Sequence, residues 1–224
     1  MRLSLPHWAD RLLERRCAAC LEPFAPRKGG ACARLLCPEC ALLIKERNAG
    51  YCPYCGEIFA FEDAPCTPCG ACMEKLPPWS EFLFCGVHDG LLRDLILTAK
   101  FGGSLQLLHF LGVLLADACG RHYAFAPKPE AIVPMPLYPA DLTRRGYSQC
   151  REICRPVEKS LGVAVRYDLL EKIMPTPEQA RLSREERKKM KQVFRGDSSA
   201  GGMHVLLVEI SLGFGYNFKS QLAA

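Results

Sequence analysis

The sequence predicts an α/β chain preceded by a small cysteine-rich module, and three observations carry that reading. Ten of the 14 cysteines fall between Cys17 and Cys72, mostly as pairs two residues apart. From Val87 onward, apolar residues recur at helical spacing. Between the helical patterns lie short apolar runs, Ala131–Leu137 and His204–Val208, that read as buried strands. Strands alternating with helices argue for a parallel sheet. The composition shifts at Leu76-Pro77-Pro78-Trp79, which sets the expected boundary: residues 1–80 form the cysteine-rich module and residues 81–224 the α/β domain.

Four pairs define the module: Cys17/Cys20, Cys37/Cys40, Cys52/Cys55 and Cys69/Cys72. Sixteen residues separate the first two pairs and thirteen the second two. Two residues between thiolates let one tight turn aim both sulfurs at a single ion, and two such turns complete a tetrahedral site. The pattern therefore predicts a double zinc ribbon holding two structural zinc ions. The spacing fits both sequential pairing and a crossed one in which Cys17/Cys20 joins Cys52/Cys55. Cys66 offers an overlapping CxxC turn with Cys69, but Cys69 and Cys72 are the preferred ligands, which leaves Cys66 and Cys32 as spare thiols. Four-thiolate sites have no open coordination position, so catalysis at the metal is not expected. Cys85, Cys119, Cys150 and Cys154 read as small core residues.

A short helix is expected at Ala41–Arg47. In the second part, Leu91, Leu92, Leu95, Ile96 and Ala99 line a helix ending near Lys100–Gly103, and a second helix covers about Leu105–Ala118. After the strand at Ala131, a helix with Ile153, Val157 and Leu161 inward should stop at Gly162. Val163–Tyr167 reads as another strand, Arg184–Gln192 as a charged helix and Val205–Val208 as a buried strand.

The composition, 49% hydrophobic and 24% charged with mean hydropathy near zero, is that of a globular protein and excludes disordered and fibrous classes. The net charge of +5 is concentrated in residues 181–195, where seven Lys or Arg stand against Glu185 and Glu186. That segment reads as a solvated helix or, alternatively, as a contact to the phosphate backbone of single-stranded nucleic acid, with Phe194 its one ring. The first sixteen residues lack the apolar core of a signal peptide, and no run approaches eighteen apolar residues. A cytoplasmic protein without membrane insertion is expected. P-loop, HExxH and nucleophile-elbow motifs are absent.

Three further segments, LLRDLILTAKFGG (91–103), AIVPMPLYPADLTRRGYSQ (131–149) and TPEQARLSREERKKMKQVF (176–194), stand behind the four CxxC pairs. Together they resemble the ComF family, which is associated with competence for DNA uptake, over about residues 17–208. The resemblance implies a type I phosphoribosyltransferase-like domain and, as ligand, phosphoribosyl pyrophosphate with Mg²⁺, bound at the carboxyl ends of parallel strands. It places the Pro134–Leu137 turn near the pyrophosphate, with Lys100, Arg144 and Arg145 neutralising charge and Gly146 allowing close backbone approach. On the residues alone, Arg144 and Arg145 read as a solvated pair before a helix, and Lys100 as surface.

Family members resemble VLLVDDxxTTGxT after the last strand, where two acids grip the ribose and a Thr/Gly turn cradles the 5′-phosphate. Here Glu209 replaces the first acid, Ile210 stands at the second, Gly213 and Phe214 replace the threonines, and Gly215 matches. The expected domain is thus C-terminally incomplete, as a frameshift or truncation beyond Val208 would leave it, and of marginal stability. The reading favours a zinc-dependent module that binds nucleic acid or a partner in DNA uptake, with single-stranded DNA and DNA-uptake proteins as partners. The alternative is a phosphoribosyltransferase that uses phosphoribosyl pyrophosphate and Mg²⁺ and would need the loop that is missing.

Overall fold

The computed structural model describes residues 15–29, 31–77, 80–175, 194–196 and 203–208. In chain order the elements are α1 (Ala31–Leu35), α2 (Pro38–Leu42), α3 (Gly70–Glu74), α4 (Gly90–Gly102), α5 (Leu105–His122), β1 (Ala131–Pro134), α6 (Pro139–Arg145), α7 (Gln149–Leu161), β2 (Leu170–Lys172), β3 (Phe194–Gly196) and β4 (Val205–Val208).

The helical spacing of apolar residues locates the long helices well. In α4, Leu92, Leu95 and Ala99 are buried on one face, and the helix stops where Gly103 turns left-handed at φ 71°. Ser104 then caps α5, its hydroxyl accepting from the Leu107 amide at 3.3 Å. Helix α5 is apolar around much of its circumference because it packs against α1, α4 and α7 at once. It runs four residues beyond the expected end. Gly112 lets α7 come close, since a Cβ there would lie 2.7 Å from the Ile153 carbonyl oxygen. Helix α7 buries Ile153, Val157 and Leu161 and ends at Gly162 as expected.

Strand β1 is buried at every residue and pairs parallel to β4, with Ala131 opposite Val205 and Pro134 opposite Val208. Its side chains alternate between two cores. Ile132 joins the main cluster, whereas Ala131 and Val133 join a smaller one with Leu169 and Leu170. The main cluster is continuous from Cys17, Ala18, Leu36 and Ile44 through Leu92 and Phe110 to Val157, so the ribbon and the helices share apolar surface. Strands β2 and β3 form a separate antiparallel pair.

Two expected elements differ. The helix foreseen at Ala41–Arg47 is instead α2, Pro38–Leu42, because Pro38 supplies a ready first turn and Cys40 must face the other thiols. Val163–Tyr167 makes only a single parallel bridge to β1, at Val165. The chain then bends where the Arg166 guanidinium folds back onto the Asp168 carboxylate. Helix α6 falls between the expected strand and helix, where the sequence gives no helical expectation, and is started by Pro139 at its first turn. The charged helix expected at Arg184–Gln192, most of the basic segment, Glu209 and Gly215 lie outside the described residues.

Candidate metal centres and strand-end cleft

The two halves of the cysteine-rich module repeat one local design. In the first, the Cys17 amide donates to the Glu22 carbonyl at 2.9 Å and the Leu21 amide to the Cys17 carbonyl at 3.0 Å, with Arg16 bridged to Pro23. In the second, the Cys52 amide donates to Glu57 at 2.9 Å and the Gly56 amide to Cys52 at 2.9 Å, with Tyr51 bridged to Ile58. The turn needs positive φ after its second cysteine: Gly56 takes 75° without strain, and Leu21 is forced to 64°.

These turns bring Cys17, Cys20, Cys37 and Cys40 together, and separately Cys52, Cys55, Cys69 and Cys72, with all sulfurs of a group within 4.8 Å of one another. The pairing is therefore sequential. A tetrahedral ion with metal–sulfur bonds of about 2.3 Å needs sulfur–sulfur edges of about 3.8 Å. Cys20 Sγ and Cys37 Sγ are 3.8 Å apart, and Cys55 Sγ and Cys69 Sγ 3.6 Å. Both groups are thus compatible with zinc. Cys66 stands apart, exposed, with its sulfur 4.0 Å from the Asn48 carbonyl oxygen.

The electrostatics favour a bound cation as well. Burial works against a thiolate at Cys17 and Cys52, yet backbone amides pointing at each sulfur overcome it and hold both near 7. The Cys37 amide lies 3.3 Å from Cys17 Sγ, and the Cys69 amide 3.3 Å from Cys52 Sγ. Burial and the neighbouring sulfurs push Cys72 up to about 11, and Cys40 and Cys55 higher still. Cys17 and Cys52 thus ionise readily, whereas Cys40, Cys55 and Cys72 resist ionisation until a cation is supplied. By contrast, burial, aided by nearby acidic groups, drives Cys85 to about 11 and Cys119 to about 12, as expected of inert core thiols. Cys119, Cys150 and Cys154 are buried and Cys85 is partly buried.

At the end of β1 a small cleft of about 30 Å³ is lined by Pro134–Leu137, Leu142, Ser148, Arg151 and Tyr167. Sequence reasoning reached the Pro134–Leu137 turn but missed Arg151 and Tyr167, whose guanidinium and ring stack 4.5 Å apart across 16 residues of sequence. Lys100 sits in the last turn of α4, where its carbonyl accepts from the Gln149 side chain. That bond places the end of α4 beside the turn after α6. Arg144 pairs with Asp141 at 3.1 Å on the exposed face of α6, Arg145 ends the helix, and Gly146 closes it at φ 76°.

Three curated relatives define the comparison. The chain is 29% identical to "DNA utilization protein YhgH" of Salmonella typhi over 196 residues, covering 86% of this chain and 82% of that protein. It is 28% identical to the protein of the same name in Escherichia coli K12 over 212 residues, covering 93% and 80%. "Competence protein F" of Haemophilus influenzae is 28% identical over 177 residues, covering 77% and 72%. These relatives support the resemblance to the ComF family. The chain matches no protein-family model, and no solved structure matches it at a significant level. Among the described residues, no helix is long and apolar enough to cross a membrane.

Proposed function

We propose that this chain is a cytoplasmic, zinc-dependent module of DNA uptake that binds single-stranded DNA or a DNA-uptake protein. The double zinc ribbon occupies residues 1–80 and a phosphoribosyltransferase-like domain residues 81–224. The observation that carries the reading is the pair of four-thiol groups with edges of 3.8 and 3.6 Å, which suit two structural zinc ions at Cys17, Cys20, Cys37, Cys40 and Cys52, Cys55, Cys69, Cys72. The names of the relatives, a DNA utilization protein and a competence protein, support the process. A zinc ribbon is a rigid scaffold in a chain segment with little core of its own, and it presents loops whose backbone and basic side chains suit a phosphate backbone.

A second reading has its own observation in favour. The cleft at the end of β1 lies beside Arg151, and the α6 turn carries Arg144, Arg145 and Gly146 close to Lys100. That is where a parallel-sheet fold would receive phosphoribosyl pyrophosphate with Mg²⁺, with Glu209 and Gly215 contributing from the chain after β4. Calorimetry separates the two. On the binding-module reading, phosphoribosyl pyrophosphate with Mg²⁺ gives no saturable heat, while labelled single-stranded DNA binds and is released by a zinc chelator. Saturable pyrophosphate binding without DNA binding would reverse the assignment.

A further inference from the structure

The first ribbon does not simply abut α5; the two enclose a cleft of about 250 Å³. Its walls carry Arg15, Arg16 and Arg34, Phe24 and Phe110 supply apolar lining, and Gln106 and His109 stand on the α5 side. Phe110 is almost fully buried, whereas Phe24 is partly exposed and packs against the core with the rest of its ring. Arg15, Arg16, Arg34 and His109 are exposed. Among the described residues, Arg34 pairs with the Asp117 carboxylate at 3.7 Å, a long and partly exposed contact that leaves much of its charge available, and Arg16 donates from Nη1 to the Leu21 carbonyl at 3.1 Å.

We propose that this cleft is a binding site for one nucleotide unit of a single strand of nucleic acid. Arg15, Arg16 and Arg34 would face its phosphate, and Phe24 would stack on its base. The inference rests on the nucleic-acid reading above and gives it a location. Two arguments select this ligand. Arginines beside a partly exposed aromatic ring are the combination that single-strand binders use, with charge following the backbone and a ring accepting any base. The cleft is also smaller than the roughly 300 Å³ at which pockets begin to enclose a small molecule, so it suits a strand that passes through and leaves the rest of itself outside.

The cleft depends on the first cysteine group by construction. Arg16 and Ala18 flank Cys17, and Arg34 and Leu35 precede Cys37 by two to three residues. The walls are tied by the Phe24 amide donating to the Arg15 carbonyl at 2.9 Å and the Ala18 amide to the Leu35 carbonyl at 3.0 Å. No residue of the second cysteine group lines it.

The test is fluorescence anisotropy of labelled oligothymidylate with the full, zinc-loaded chain across a salt series. Arg15→Ala and Arg34→Ala should each weaken binding roughly threefold or more and lower the slope of log K against log salt by about 0.7. Phe24→Leu, which keeps an apolar side chain, should weaken binding roughly fivefold or more with the slope unchanged. Arg155→Ala, on the exposed face of α7 and outside both clefts, should leave binding as it was. Zinc content and circular dichroism verify folding, and exposed Arg15 serves as the arbiter if Arg34→Ala does not fold. Wild-type chain that binds no oligonucleotide would overturn the nucleic-acid reading itself. Wild-type binding that all three cleft variants retain, with unchanged salt slope, would overturn this site alone. Loss of a polyglutamate peptide by the variants, with oligothymidylate binding intact, would assign the cleft to an acidic protein and overturn it too.

Discussion

Arg47 should hold the second ribbon together. Its side chain is only 7% exposed although it lies in the loop between the two ribbons. The guanidinium donates from Nε to the Ala49 carbonyl at 3.0 Å and from Nη2 to the Phe59 carbonyl at 2.8 Å. It also makes a weaker 3.4 Å bond to the Gly50 carbonyl and pairs with Glu62 at 2.9 Å. Glu62 is 80% exposed, so that pair contributes well under 1 kcal/mol. Two good bonds from a charged donor at about 1.5 kcal/mol each give roughly 3 kcal/mol for Arg47→Ala. Arg47→Lys, which cannot fork, should recover less than half of it. The assay is the rate at which a chromophoric chelator strips metal from the chain. For local opening, 3 kcal/mol corresponds to roughly a hundredfold faster release from one of the two sites. Unchanged release in both substitutions would refute the idea that the buried guanidinium clamps this ribbon.

Other expectations follow from the same contacts. Gly112→Ala should cost about 1–3 kcal/mol, because its Cβ would meet the Ile153 carbonyl oxygen at 2.7 Å and Pro156 Cγ at 3.0 Å; thermal denaturation reads this as a fall in Tm of several degrees. Gly50→Ala should destabilise the second ribbon more severely, since φ is +68° and the added carbon would lie 2.3 Å from the Phe61 carbonyl oxygen, and amide exchange in residues 50–62 should accelerate. Cys17 and Cys52 are held down near 7 in the folded chain. Their ionisation therefore stabilises the metal-free fold above the ordinary thiol range, and the benefit is lost as pH falls through about 7. Metal binding should accordingly release fewer protons per ion above pH 7 than below it, measured by calorimetry in buffers of different ionisation enthalpy. A constant count would contradict the assignment.

How much of this was legible in the sequence depended on the range of the interaction. The CxxC turns are local, so the eight clustered cysteines were readable from spacing. Their sequential pairing was not, because it is decided by the sulfur–sulfur approach across Cys20/Cys37 and Cys55/Cys69. Helices α4, α5 and α7 announce themselves through apolar period and through Gly103 and Gly162 at their ends. The α2 boundary was misplaced because the demand on Cys40 to face the other sulfurs is tertiary, and Val165 contributes one bridge where a strand was expected. The cleft under the first ribbon left no single signal: Arg15, Phe24, Arg34 and His109 are unremarkable apart, and only the docking of the ribbon on α5 puts them together.

The central claim is that two zinc ions, one in each cysteine group, hold the ribbons. Native mass spectrometry of the purified chain tests it most directly. The account predicts a mass carrying two zinc ions with every thiol reduced, falling to one ion in Cys37→Ser or Cys69→Ser and staying at two in Cys66→Ser. A metal-free mass in a folded chain, or one short of hydrogens through disulfides within these groups, would contradict it.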